Sequence, residues 1–177
     1  MPTPAIFLDR DGTLMEDVGY CNDPATVRLF PGVPEALRGL KAGGFCTVII
    51  TNQSGIGRGW ITAEQYAAVH ARLLELLGPG LIDAAYFCPD HADMPSARRK
   101  PSPAMVLNAA RDLGLDLARS WFVGDKAIDV QCGLAAGCRP ILVQTGEGAG
   151  ADASGAAHVA KDFASAAAFI LRTSDAS

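Results

Sequence analysis

The chain has 177 residues, 49% of them apolar, and a formal charge of -4. That length suits one domain over residues 1–177 with a sizeable core, and the composition excludes a disordered chain. No basic block is longer than Arg98 to Lys100, which excludes nucleic acid as the main partner.

No apolar run reaches the roughly 18 residues that span a bilayer, so no membrane partner is expected. The start, MPTPAIFLDR, lacks a basic region followed by a long apolar stretch, and a cytoplasmic location is expected by default. The five cysteines are scattered and form no CxxC pair, which suits reduced thiols used as small core residues.

Five short apolar runs read as strands buried on both faces: Ala5 to Leu8, Phe45 to Ile50, Ala84 to Phe87, Trp121 to Gly124 and Pro140 to Val143. Helical patterns lie between them. The first spans Val33 to Ala42 and stops at Gly43-Gly44. The second starts at Thr62, which makes a capping box with Gln65, and runs to Leu77. A third follows Ser102-Pro103 and ends near Leu113. A fourth spans Ala127 to Ala136, and the last covers Phe163 to Leu171, with a frayed tail after Arg172. Residues 145–156 read as a solvent loop. Strand alternating with helix predicts a doubly wound, Rossmann-like parallel sheet with helices on both faces, whose ligands bind at the carboxyl ends of the strands.

Polar residues gather at those ends. Asp9, Asp11 and Thr13 follow the first strand, Thr51 to Gly59 the second, Arg98 to Lys100 the third, and Asp125, Lys126 and Asp129 the fourth. Carboxylates at that density require a compensating cation. The oxygen-rich set suits Mg²⁺, with Asp9 and Asp125 as ligands, while Lys100 and Thr51 supply donors for an anion sharing the metal, which points to a phosphate. An ordinary aspartate is ionised at neutral pH and can attack phosphorus without a base. Residues i and i+2 of an extended segment face one way, which suits Asp9 as nucleophile and Asp11 as acid/base. The acid role needs a pKa raised by partial desolvation.

DRDGTL (9–14), Thr51, Lys100 and GDKAID (124–129) resemble the four motifs of the haloacid dehalogenase superfamily, Mg²⁺-dependent enzymes with an aspartate nucleophile, most of them phosphatases. Within it, FLDRDGTL, DVGY, TNQSGIGRG, RKPSPAM and VGDKAIDVQCGLAAG resemble the D-glycero-D-manno-heptose-1,7-bisphosphate 7-phosphatase family, over residues 5–145; the histidinol-phosphate phosphatase branch shares these motifs. The resemblance implies Asp9 as nucleophile and Mg²⁺ ligand, Asp11 as acid/base and a ligand through its carbonyl, and Asp125 as third ligand. Thr51 and Lys100 hold the transferring phosphoryl group. Asp17, Val18, Gly19, Tyr20, Asn52, Gln53, Ser54, Arg99 and Lys126 shape the pocket for a small phosphorylated sugar. Arg99 is the candidate for a distal phosphate, because a guanidinium forks onto phosphate oxygens.

Both groups also carry a zinc loop, Cys-x-His and then Cys-x-Cys before the Arg-Lys-Pro. Here CPDHADMPSARRKP keeps Cys88, but Asp90 stands in the first His position and residues 96–98 replace the second cysteine pair. Cys88 and His91 are an incomplete remnant, and no zinc is expected. The spacings between the first three motifs leave no room for a separate cap domain, and a monomer is expected.

Other residues have plainer readings. Lys126 and Asp129, three apart on a helix, fit a solvated ion pair. Arg58 reads equally as a surface or a pocket residue. His70 reads as structural, His158 sits in a weak strand pattern, and Trp60 and Trp121 suit the core or pocket edge. Competing functions are a histidinol-phosphate or other monoester phosphatase, a phospho-aspartate receiver domain, and a module that only binds phosphosugars. Receiver domains carry the acceptor after a middle strand and need no Asp11-type acid/base.

Overall fold

The structure, a computed structural model, describes residues 2–174. Six parallel strands form one sheet: β1 (Thr3–Leu8), β2 (Cys46–Asn52), β3 (Ala84–Cys88), β4 (Leu115–Gly124), β5 (Arg139–Val143) and β6 (His158–Ala160), in the order β3-β2-β1-β4-β5-β6. The chain winds outward from β1 through β2 to β3, then returns to β4 on the other side. The topological switch therefore lies between β1 and β4, the place where such sheets bind ligands.

Alternation along the strands divides the core. Ile6, Leu8, Ile49 and Val123 pack against α1 (Val33–Ala42), α3 (Ala63–Leu77) and α6 (Phe163–Ser174) on one face. Ala5, Phe7, Val48, Ile50 and Phe122 pack against α4 (Ala104–Leu113) and α5 (Ala127–Ala136) on the other. A strand covered on both faces has no polar side, which is why its sequence is a continuous apolar run. Each fully buried Ile, Leu or Phe contributes roughly 1.5–3 kcal/mol, so the strands in the middle of the sheet anchor the site above them.

Helix boundaries follow local chemistry. Thr62 Oγ1 accepts from the Gln65 amide at 3.1 Å, and Gln65 Oε1 accepts from the Thr62 amide at 2.9 Å, the expected capping box at the start of α3. Gly114 ends α4 in the left-handed conformation, at φ 65°.

Several elements differ from expectation. β4 begins six residues earlier than the apolar run, because 115–116 pair with 3–4 before a register shift; the Ser120 hydroxyl bridges that irregularity, binding the Asp116 carbonyl and accepting from the Ala5 amide. The one-turn helix α2 (Ser54–Gly57) lies inside the second motif, and the weak pattern around His158 is the short strand β6. The last helix runs to Ser174, so residues 173–174 are not frayed; residues 175–177 lie outside the described residues. Among the described residues, no inserted domain separates β1 from β2 or β2 from β3, and no helix is long and apolar enough to cross a membrane.

Candidate active site

The carboxyl ends of β1, β2 and β4 meet over an open cleft of about 310 Å³. Asp9 follows β1, its amide donating to the Val123 carbonyl of β4 at 2.9 Å, which sets its height on the sheet. Its Oδ1 accepts from the Arg10 amide at 2.8 Å and pairs with the Lys100 ammonium at 2.9 Å. Oδ2 has no hydrogen bond among the described residues, so one oxygen is fixed while the other is left for chemistry.

Lys100 is buried. Its ammonium also donates to Asp129 Oδ1 at 2.7 Å and to the Ile50 carbonyl at 3.0 Å. The solvated pair of Lys126 with Asp129 expected from spacing is therefore not formed. Asp129 is 1% exposed, caps α5 by accepting from the Lys126 amide at 3.0 Å, and spends its charge on Lys100. The Lys126 ammonium instead reaches Asp17 and Glu147, each at 3.3 Å, across the mouth of the cleft.

Asp125, at the end of β4, has no exposure. Its Oδ2 accepts from the Glu147 amide at 2.9 Å, and its Oδ1 lies 3.4 Å from the Thr13 hydroxyl. Oxygens of Asp9, Asp125 and Asp129 lie within 4.8 Å of one another. Burial, then the charge of Asp9, pushes Asp125 up to about 7; burial and Asp129 likewise raise Asp9 against the pull of Lys100. Three carboxylates face one buried ammonium, an excess of two negative charges. Two carboxylates with free oxygen valence fit a Mg²⁺ ion, which takes oxygen ligands and keeps water and phosphate oxygens as the remainder.

The chain turns between these acids because Gly12 has φ 85°, and a Cβ there would run into the Asp125 carboxylate. Asp11 lies on the cleft wall, where the Arg10 guanidinium grips it at 2.9 and 3.0 Å and the Gln53 amide donates to its Oδ2 at 2.9 Å. Gln53 also donates to Thr51 Oγ1 at 2.9 Å, tying the first and second motifs together.

Most of the expected pocket residues line the cleft: Asp17, Gly19, Tyr20, Asn52, Gln53, Ser54, Arg99 and Lys126. Val18 does not; it is half exposed beside the cleft. Arg58 pairs with Asp93 at 3.2 Å and lies over the Trp60 ring, outside the lining. Trp60 meets Tyr20 edge-on at 4.5 Å on the rim, Trp121 is in the core, and His70 stacks on Tyr66 within α3.

The remnant zinc residues do not fit a closed metal site. The Cys88 thiol meets the Ser96 hydroxyl at 3.5 Å, Asp90 accepts from Ser96 at 2.5 Å, and His91 Nδ1 accepts from the Asp93 amide at 3.1 Å. These donors close on each other, and Cys88 with His91 supplies two of the four ligands that such a site needs.

Comparison with known proteins gives the family. A family model described as HAD-hydrolase-like matches residues 97–166. The chain is 42% identical to the D-glycero-D-manno-heptose-1,7-bisphosphate 7-phosphatase of Thermosynechococcus vestitus, over 96% of each chain. It is 43% identical to the corresponding Yersinia pestis enzyme, over 87% of each. The chain belongs to the heptose-1,7-bisphosphate 7-phosphatase family. It is thus a phosphoric monoester hydrolase of the haloacid dehalogenase superfamily. A solved heptose bisphosphate phosphatase from B. bronchiseptica, complexed with magnesium and phosphate, superposes with a TM-score of 0.87 at 35% identity, covering 96% of this chain and 99% of that one.

This heptose bisphosphate phosphatase family member carries contacts that its motifs alone do not reveal. Asp129, Arg10 and Glu147 are the main ones. Arg10 follows Asp9 at the end of a buried strand, where alternation points it away from the acids, yet the turn at Gly12 brings Asp11 back under its guanidinium. The loop after β5 was readable only from its place at the same sheet edge: Thr145 Oγ1 donates to the Gly12 carbonyl at 2.6 Å, and the Glu147 amide holds Asp125.

Proposed function

We propose that this chain is a Mg²⁺-dependent phosphatase that hydrolyses D-glycero-D-manno-heptose 1,7-bisphosphate at C7 through an aspartyl-phosphate on Asp9, and that residues 1–177 form its one domain. The observation that carries the reading is Asp9, with one oxygen held by Lys100 and the Arg10 amide and the other unbonded, beside a buried carboxylate excess. High identity to heptose bisphosphate phosphatases over nearly the whole chain supports the substrate.

Asp9, Asp125 and the Asp11 carbonyl are the residues to hold Mg²⁺, which when bound supplies charge neutralisation for the phosphate oxygens. Asp9 Oδ2 attacks phosphorus in line with the C7 oxygen, while Lys100 and the Thr51 hydroxyl steady the equatorial oxygens. Asp11 delivers a proton to the departing C7 alkoxide, then takes one from the water that opens the acyl phosphate; released phosphate and free Asp9 restore the start. In the free site Arg10 and Gln53 hold Asp11 as a carboxylate beside Thr51, so it must take up a proton and turn from the guanidinium to serve as the acid. Arg99, on the cleft wall, is the residue offered for the C1 phosphate, and Lys126 with Asp17 borders the sugar.

The test is phosphate release from both anomers of the heptose bisphosphate and from histidinol phosphate, with and without Mg²⁺, for the unaltered chain and Asp9→Asn. The expected result is bisphosphate turnover that needs Mg²⁺ and vanishes in Asp9→Asn. Turnover of histidinol phosphate alone would replace the substrate, and metal-free turnover surviving Asp9→Asn would overturn the mechanism.

A further inference from the structure

The loop between β3 and α4 delivers Arg99 and Lys100 to the cleft, but the two are braced by different groups. Asn52 holds Lys100 from both sides, accepting from its amide at 3.0 Å and donating to its carbonyl at 3.2 Å, while three oxygens surround its ammonium. Arg99 has none of these braces. Its carbonyl accepts from the Ser102 amide at 2.9 Å, and its amide is held by Ser96, whose Oγ accepts from the Arg99 amide at 3.1 Å and from the Arg98 amide at 3.2 Å. The same hydroxyl donates to Asp90 Oδ2 at 2.5 Å and meets the buried Cys88 thiol at 3.5 Å.

A serine hydroxyl has one proton and two lone pairs, and here Asp90 and the two amides use all three. The bond to an ionised carboxylate is of the stronger, charge-assisted kind. Cys88, at the end of β3, only packs against the hydroxyl at 3.5 Å, so the tie runs from the Arg98 and Arg99 amides through Ser96 to Asp90. We infer that Ser96 is a positioning residue that sets Arg99 against the second phosphate of the substrate, a brace made of hydrogen bonds alone. This rests on the reading of Arg99 given above.

The experiment compares Ser96→Ala and Ser96→Thr with the unaltered enzyme, by steady-state kinetics and by amide hydrogen exchange. Ser96→Ala should raise KM for the heptose bisphosphate roughly 3- to 10-fold, the loss of about one hydrogen bond's worth of positioning. Its kcat should stay within about twofold, because Lys100 has its own braces, and KM for p-nitrophenyl phosphate should not move. Exchange at the Arg98 and Arg99 amides should speed up, and Ser96→Thr, which keeps the hydroxyl, should restore both readouts. Equal KM increases for the two substrates, or unchanged exchange at both amides, would overturn the inference. If the unaltered enzyme itself shows no preference for a bisphosphate, the substrate reading fails; faster exchange in Ser96→Ala then still supports Ser96 as the brace, and unchanged exchange overturns it.

Discussion

Gly146 is a sensitive position outside the motifs. It has φ 55°, and a Cβ there would overlap the Asp125 carboxylate and lie 2.8 Å from the Gly12 Cα. Gly146→Ala therefore carries two separable costs. The left-handed backbone costs an alanine about 1–2 kcal/mol. Restoring ordinary contact moves the Asp125 carboxylate by about 1 Å, whereas metal ligands tolerate about 0.2 Å. Gly44→Ala is the control, since Gly44 has φ 84° with nothing within 4 Å of the added carbon. Gly44→Ala should lose about 2–6 °C in Tm, the strain spread over a chain of this size, and Gly146→Ala at least as much because of the added overlap. Only Gly146→Ala should also raise the Mg²⁺ concentration for half-maximal activity, by about tenfold or more. Titrating Mg²⁺ in a phosphate-release assay decides it. An unchanged Mg²⁺ requirement in Gly146→Ala would refute the assignment of Asp125 as a ligand held by this loop.

Phe7→Ala should cost about 3–5 kcal/mol in urea unfolding, because Phe7 is fully buried in the central strand and packs on Phe122. A loss under 1 kcal/mol would mean that this face of the core collapses around the gap. Burial raises the Asp83 carboxyl, but Lys41 at 2.6 Å and the Thr47 amide at 2.7 Å outweigh it and hold the pKa below its usual value. Stability from that depression is present above the unfolded value of about 3.9 and is lost as pH falls through the lower folded value. Asp83 is a third exposed, so solvent screening holds the contribution to about 1 kcal/mol or less, and Asp83→Ala should flatten the acid limb of a Tm-against-pH profile. Parallel limbs would remove the pair from the account.

The sheet, its strand ends and most of the cleft were legible because both kinds of signal are local. A strand buried on two faces must read as an apolar run, and glycine pairs and capping boxes mark helix ends within a few residues. Asp129 was misjudged for the opposite reason. Spacing within a helix reports the neighbour three residues away, Lys126, but Asp129 points across the sheet to Lys100, 29 residues back in the chain. The loop from Thr145 looked like solvent because glycine-rich composition describes what a backbone can adopt and not what it leans on. Most of that loop is open to solvent as its composition suggests, but Gly146 lies against the Asp125 carboxylate, which a side chain there would meet. Val18 shows the converse: a residue flanked by pocket neighbours can still turn outward.

The charge excess at the base of the cleft makes the metal a structural matter as well as a catalytic one. The folded protein raises Asp125 to about 7, so between the unfolded value of about 3.9 and that pH the folded state binds the extra proton. In chelator, stability should therefore fall as pH rises through this window, the opposite sign to Asp83. Asn at position 125 keeps the shape, offers an oxygen to the Glu147 amide and can donate to Thr13, while removing one of three crowded charges. In chelator at pH 8, Asp125→Asn should be more stable than the unaltered chain. Mg²⁺ at about 100 times its dissociation constant should stabilise the unaltered chain by about 2.7 kcal/mol. The same addition should do little for Asp125→Asn, reversing the order of the two. Thermal unfolding of both, with chelator and with Mg²⁺, measures all four states. A variant less stable in chelator would mean that the Asp125 hydrogen bonds outweigh the repulsion, and the excess of charge would then not be what recruits the ion.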